Sequence, residues 1–171
     1  MKIIFEGPNS SGKSTLIKLL KSLNMFSDFE SEYLGKNTPK DYKFYEYLLL
    51  NKRNIIFDRS CISECIYSNI YKRNSEMTLN KCLDLFNKVG LHEKVIIIFV
   101  DAEFEFIING YKRKQEVIDF EFIKKERAAF NNVMIDFKEY CYNCAVIHLF
   151  NNVNDNDTFI KLLNEVLDCV E

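Results

Sequence analysis

Apolar residues fall along the chain in short unbroken runs separated by longer, mixed stretches. The runs are MKIIFEG at the start, NIIFD at 54–58, KVIIIFVD at 94–101 and CAVIHLF at 144–150. Continuous rather than alternating hydrophobicity predicts strands covered on both faces, the pattern of a parallel sheet. A weaker strand candidate lies at Phe29 to Leu34. Helical segments are expected between the runs, over 15–23, 41–52, 60–73, 78–89, 103–110, 119–141 and 156–169. In the 119–141 segment Phe122, Ala129, Phe130, Val133 and Phe137 recur at three-, four- and seven-residue spacings, consistent with an apolar stripe. Alternation of strand and helix throughout predicts an α/β domain with right-handed crossovers. With two prolines, and with no linker, repeat or low-complexity tract, residues 1–171 read as one domain.

The junction after the first run carries the strongest chemical signal. Residues 7–15 read GPNSSGKST, which fits G-x-x-x-x-G-K-[ST]. A loop that wraps a phosphate chain must turn its backbone N–H groups inward. Gly7 and Gly12 permit the angles and the close approach that a side chain would block. Lys13 supplies a cation for the β- and γ-phosphates, and the Ser14 hydroxyl can ligate Mg²⁺. The strand before the loop and the helix after it put the phosphates on a helix N-terminus. Gly7, Pro8, Asn9, Ser10, Ser11, Gly12, Lys13, Ser14 and Thr15 are therefore the candidate ATP-binding residues. The expected fold is the three-layer P-loop NTPase fold, with about five parallel strands in the order 2-3-1-4-5. Ligands in such sheets sit at the carboxyl ends of the strands. One rim should therefore gather the loop, Asp58–Arg59, Asp101 and the polar segment at 151–157, where Asn152 is a further ATP-binding candidate.

A second motif follows NIIF. Asp58-Arg59-Ser60 opens D-R-S-x-x-S-x-x-x-Y, completed by Ser63 and Tyr67. An Asp at this strand end can hold Mg²⁺ through water or accept a proton, and the Arg is a charged fork suited to a phosphate. FEGPNSSGKST and this D-R-S motif resemble the thymidylate kinases, whose second motif is D-R-Y-x-x-S-x-x-x-Y. The related deoxynucleoside kinases carry E-R-S there. A third stretch, VDAEFEFIINGYKRKQEVIDFEFIKKERAAF, looks like the family's fourth strand, basic lid and following helix. Lys112, Arg113 and Lys114 fall in a lid around 111–118, and Arg127 and Phe130 match a later Arg and aromatic. The resemblance implies phosphoryl transfer from ATP–Mg²⁺ to a deoxynucleoside monophosphate, with a deoxynucleoside as the rival acceptor. It implies catalytic roles for Lys13, Asp58, Arg59 and Arg113, and Mg²⁺ ligation by Ser14 and Asp58. Acceptor binding falls to Arg59, Ser63 and Tyr67, and a homodimer is implied as well.

The resemblance has gaps. Asn9 stands where thymidylate kinases usually have Asp, and Ser60 and Ser68 replace an aromatic and a Gln. The R-E-P segment is missing. Base reading therefore needs a substitute, for which Phe44 is the choice among Tyr42, Phe44, Tyr45 and Tyr47. Glu30 and Glu32 lie near the end of the weak strand, where deoxynucleoside kinases place a base for the sugar hydroxyl.

Bulk composition narrows the setting. Hydrophobic residues make up 47% of the chain and charged residues 28%, the balance of a globular domain. A net charge of −2 argues against a broad electrostatic nucleic-acid track. No apolar run is long enough to span a bilayer, and the first residues read as a strand rather than a signal peptide. Cys61, Cys65, Cys82, Cys141, Cys144 and Cys169 lack the paired spacing of a four-cysteine zinc site and read as reduced thiols. A cytoplasmic protein is expected. No N-K-x-D element of a guanine-specific switch is found, although a nucleotide-binding module without turnover stays open.

Overall fold

The computed structural model describes residues 1–151 and 155–170. Its strands are β1 (Lys2–Glu6), β2 (Glu30–Tyr33), β3 (Ile55–Asp58), β4 (Val95–Ala102) and β5 (Ala145–Asn151). They form one parallel sheet in the order β2-β3-β1-β4-β5. The helices are α1 (Lys13–Lys21), α2 (Tyr42–Asn51), α3 (Cys61–Tyr71), α4 (Leu79–Gly90), α5 (Phe104–Arg113), α6 (Phe120–Tyr140) and α7 (Asp155–Val170). This is the P-loop NTPase α/β fold, as the strand–helix rhythm predicts.

The unbroken apolar runs have a direct structural cause. Along β4, Val95, Ile97 and Phe99 face one helical layer, and Ile96, Ile98 and Val100 face the other. The first layer draws on α2, α3, α4 and α6, the second on α1 and α7. Both faces are dry, so neither register of the strand can be polar. The weak candidate is a genuine strand at the sheet's edge. With one neighbour and mostly exposed residues, Glu-Ser-Glu-Tyr needs no apolar run.

Side chains start four of the helices. Asp41, Ser60, Thr78 and Asp119 each accept a backbone N–H of the first turn, at α2, α3, α4 and α6. Two expectations shift. The basic lid is not loop at its start, because Tyr111, Lys112 and Arg113 form the last turn of α5 and Lys114 caps it. The stripe of α6 also departs from the expected line at Phe122, Ala129 and Val133, which are only partly buried, while Phe130 and Phe137 are buried as expected. Its buried positions are Ile123, Glu126, Phe130, Met134 and Phe137, and Phe122 is only half-buried, stacked on Tyr71. All six cysteines are unpaired thiols. Among the described residues no helix is long and apolar enough to cross a membrane.

Candidate active site

The carboxyl ends of β1, β3 and β4 carry the site. Register places Phe5 beside both Asp58 and Ile98, so the loop leaving β1 lies between the ends of its two neighbours. That loop is held by close backbone approach. A Cβ on Gly7 would lie 2.1 Å from the Val100 carbonyl oxygen, and Gly7 has φ +141°. Gly12 has φ +96°, and a Cβ there would meet the Asn151 amide at 2.1 Å. The amide that occupies this space donates to the Ser11 carbonyl at 2.9 Å. Asn151, the last residue of β5, therefore braces the loop. Asn152, the neighbouring residue expected to bind ATP, lies outside the described residues.

Lys13 is buried and folds back over the loop. Its ammonium donates to the carbonyls of Gly7 and Pro8 at 2.9 and 2.7 Å. Burial, and secondarily the Arg59 charge, lowers its pKa to about 7, against the opposing carboxylates of Asp58, Glu126 and Glu6. Ser14 donates to Asp58 Oδ2 at 2.8 Å, and Asp58 Oδ1 is buried with no hydrogen-bond partner among the described residues. A hydroxyl and a carboxylate so placed, beside a phosphate loop, are a fitting partial donor set for a hard divalent cation. Among the described residues no group of three or more His, Cys, Asp or Glu side chains is placed to hold a metal ion.

Arg59 sits at the corner between β3 and α3 with a left-handed backbone, φ +80°. This conformation is uncommon outside glycine, and here it accompanies a guanidinium turned back over the loop. The guanidinium is buried. It donates to Asn9 Oδ1 at 2.7 Å, to Ser63 Oγ at 3.1 Å and to the Gly7 carbonyl at 3.4 Å. It also lies 5.0 Å from the centroid of the Tyr67 ring. Ser63 in turn donates to Glu6, as does Ser60 at 2.6 Å. Both motif serines are thus tied to Glu6, and Ser63 also supports Arg59. Glu6 is wholly buried, and burial raises its carboxyl pKa against the opposing hydrogen bonds and cations.

Two cavities open on this rim. One, of about 670 Å³, is lined by Asn9, Ser10 and Gly12 to Thr15 of the loop and by Asp58, Phe106, Arg113 and Lys114; Ser11 is wholly buried behind it. The other, of about 420 Å³, runs along α3 past Ser63, Glu64, Tyr67, Tyr71 and Arg73. Asn9, Tyr33 and Arg59 line both. Of the lid cations, Arg113 and Lys114 reach the first cavity and Lys112 does not; Lys114 donates to Ser10 Oγ at 3.2 Å. Of the four candidate aromatics on α2, Tyr45 lines the second cavity. Phe44 packs on the core against Tyr45, and Tyr47 points to solvent. Glu30 and Glu32 line neither cavity. Glu30 pairs with Lys52, and Arg127 forms a bidentate pair with Asp101.

Sequence reasoning missed Tyr33, Glu64, Arg73, Gly110, Glu126 and Asn151. Glu64 and Arg73 are ion-paired at 2.8 Å on the wall of the second cavity. Gly110 lets α5 approach the loop, where a Cβ would lie 2.6 Å from the Ser10 Cβ. Asn151 alone left a local trace, as the first residue of the polar segment expected on this rim.

No family model matches the sequence, and no curated protein matches it. Solved structures do. The YorR protein of Bacillus subtilis, in complex with phosphorylated GDP, superposes with TM-score 0.75 at 16% identity, over 98% of this chain and 96% of its own. Deoxyadenosine kinase from M. mycoides with bound dATP gives 0.57 at 20%, over 98% and 99%. A polyphosphate kinase 2 assignment from Pseudomonas aeruginosa gives 0.68 at 14%, over 99% of this chain but 41% of that one. Sheet order, phosphate loop and these neighbours agree that the chain has the P-loop NTPase α/β fold, one that kinases of nucleosides and phosphates also use.

Proposed function

We propose that the protein transfers the γ-phosphoryl group of ATP to a deoxynucleoside monophosphate. One observation carries this reading: the phosphate-loop cavity and a second, aromatic-walled cavity meet at Arg59 and Asn9. A binding module needs one pocket; transfer needs two that share a wall. Both volumes lie in the range of small-molecule sites. The phosphate loop would hold the ATP phosphates, with Lys13 and Arg113 facing the group that moves. Arg59 would face the acceptor's phosphate. The bond from the γ-phosphorus to the ADP oxygen breaks, and one forms to an oxygen of the acceptor phosphate, yielding ADP and a nucleoside diphosphate. The charge that spreads over the moving group is met by fixed cations, and these residues contribute mainly positioning and electrostatics. Ser14 and Asp58 would hold Mg²⁺, which supplies further neutralisation of the phosphates.

Carboxylate placement favours a monophosphate over a sugar hydroxyl. A neutral hydroxyl calls for a base at the junction. Glu30 and Glu32, the expected bases, line neither cavity; Asp58 sits beside Ser14 in the phosphate-loop cavity, where a cation ligand belongs, and Glu64 is ion-paired to Arg73 through one oxygen, its other oxygen having no hydrogen-bond partner among the described residues. The test is ADP production with dTMP, dUMP, dCMP, dAMP and dGMP, and with the four deoxynucleosides. Turnover confined to monophosphates is expected. Turnover confined to nucleosides overturns the acceptor assignment, and turnover with neither leaves only a nucleotide-binding module.

A further inference from the structure

Glu126 lies in the apolar stripe of α6 and has no exposed surface. A carboxylate there is costly unless it is paired and hydrogen-bonded. Its neighbours show what it is paired to. One oxygen accepts the backbone N–H of Asn9 at 3.0 Å and also the hydroxyl of Tyr67. The other is buried with no hydrogen-bond partner among the described residues. Glu126 acts through space on both the Lys13 ammonium and the Arg59 guanidinium. It therefore joins the second residue after Gly7 of the phosphate loop to the aromatic wall of the second cavity. Asn9 is gripped from the other side as well, since its side-chain oxygen accepts from Arg59 at 2.7 Å. Loop, corner and α6 converge on one residue, and that residue brings no charge of its own.

We propose that Glu126 is the positioning residue of the site: a buried negative charge, supplied from α6, that sets Asn9 and Arg59 in register with Tyr67. This rests on the transfer reading above. Glu126 lines neither cavity, so its effect on a ligand passes through these partners. Hydrogen bonds from a backbone amide and a hydroxyl orient the carboxylate, and they tie it to the guanidinium that both cavities share through Asn9, which accepts from Arg59, and through the Tyr67 ring on which Arg59 lies.

Glu126→Gln keeps the shape and one acceptor oxygen but removes the charge. The variant is expected to fold, with a melting temperature within a few degrees of the parent. Its acceptor KM should rise about tenfold and its kcat fall, while the ATP KM moves much less. Adding Asn9→Asp returns a carboxylate to within reach of Arg59 and should recover most of the loss. Parental kinetics in Glu126→Gln overturn the proposal. So does a folded double variant with no recovery, because charge was then not the contribution. If Glu126→Gln does not fold, Glu126→Asp replaces it and is expected to show the same acceptor-side loss in milder form; parental kinetics there overturn the proposal equally. Absence of turnover in the parent protein is a separate outcome, and it removes the transfer reading itself.

Discussion

Lys13 shows what a buried charge does to a single residue. Its ammonium ordinarily titrates near 10.5, and burial brings that to about 7. The unfolded chain thus holds this proton to higher pH than the folded protein does. For this group alone, folding stability rises as pH climbs from about 7 towards 10.5, because the unfolded state binds more protons there. Phosphate oxygens beside the amine reverse the shift. ATP binding at about pH 8.5 is expected to take up close to one proton, read by calorimetry in buffers of different ionisation enthalpy. Heat that is independent of buffer would mean that Lys13 keeps its charge without nucleotide. Lys13→Ala should abolish transfer with the fold retained, checked by turnover beside circular dichroism. The motif spacing makes Lys13 legible in the sequence. Glu126 was harder to see, since a lone acidic residue on a charged helix is ordinary until the helix's buried line is known.

At the scale of elements, the site depends on how closely α5 and α6 approach the loop and the sheet. Gly110 is the contact point of α5, and an added methyl would press on Ser10. Gly110→Ala should weaken nucleotide binding by about tenfold, measured as Kd, even though alanine favours the helix itself. An unchanged Kd would show that the loop yields freely. α6 is fastened to β4 by the Arg127–Asp101 pair, where Asp101 is buried and Arg127 partly exposed. Arg127→Ala leaves that carboxylate without its bidentate partner and should cost about 2 kcal/mol in urea unfolding. A loss below a few tenths would mark the pair as solvent-screened. Element positions were legible because both sheet faces are dry and every run is therefore continuous. The end of α5 was not. Tyr-Lys-Arg-Lys reads as a lid by composition, but Tyr111 is buried under the rim with Ile107 and Ile123, and that packing extends the helix.

For the whole molecule, the junction of two cavities makes a prediction about coupling. An ATP analogue and a deoxynucleoside monophosphate should each raise the melting temperature, and together they should raise it by more than the two separate shifts combined. Shifts that merely add would separate the pockets energetically and weaken the case for transfer across Arg59. Arg59→Ala should raise the acceptor KM more than the ATP KM; an effect confined to ATP would put the guanidinium on the donor side. By itself the sequence determined the layer architecture, the phosphate loop and the Asp58–Arg59 corner. Each of these is written in neighbouring residues, through strand hydrophobicity, glycine spacing and a motif at a strand end. Only the tertiary structure decided that Tyr45 rather than Phe44 faces the second cavity, and that Asn151 braces the loop. It also brought Glu126 from α6 against Asn9, 117 positions away. Those pairings depend on which side of a helix the core claims, and the core assigns that side through contacts between residues far apart in the chain.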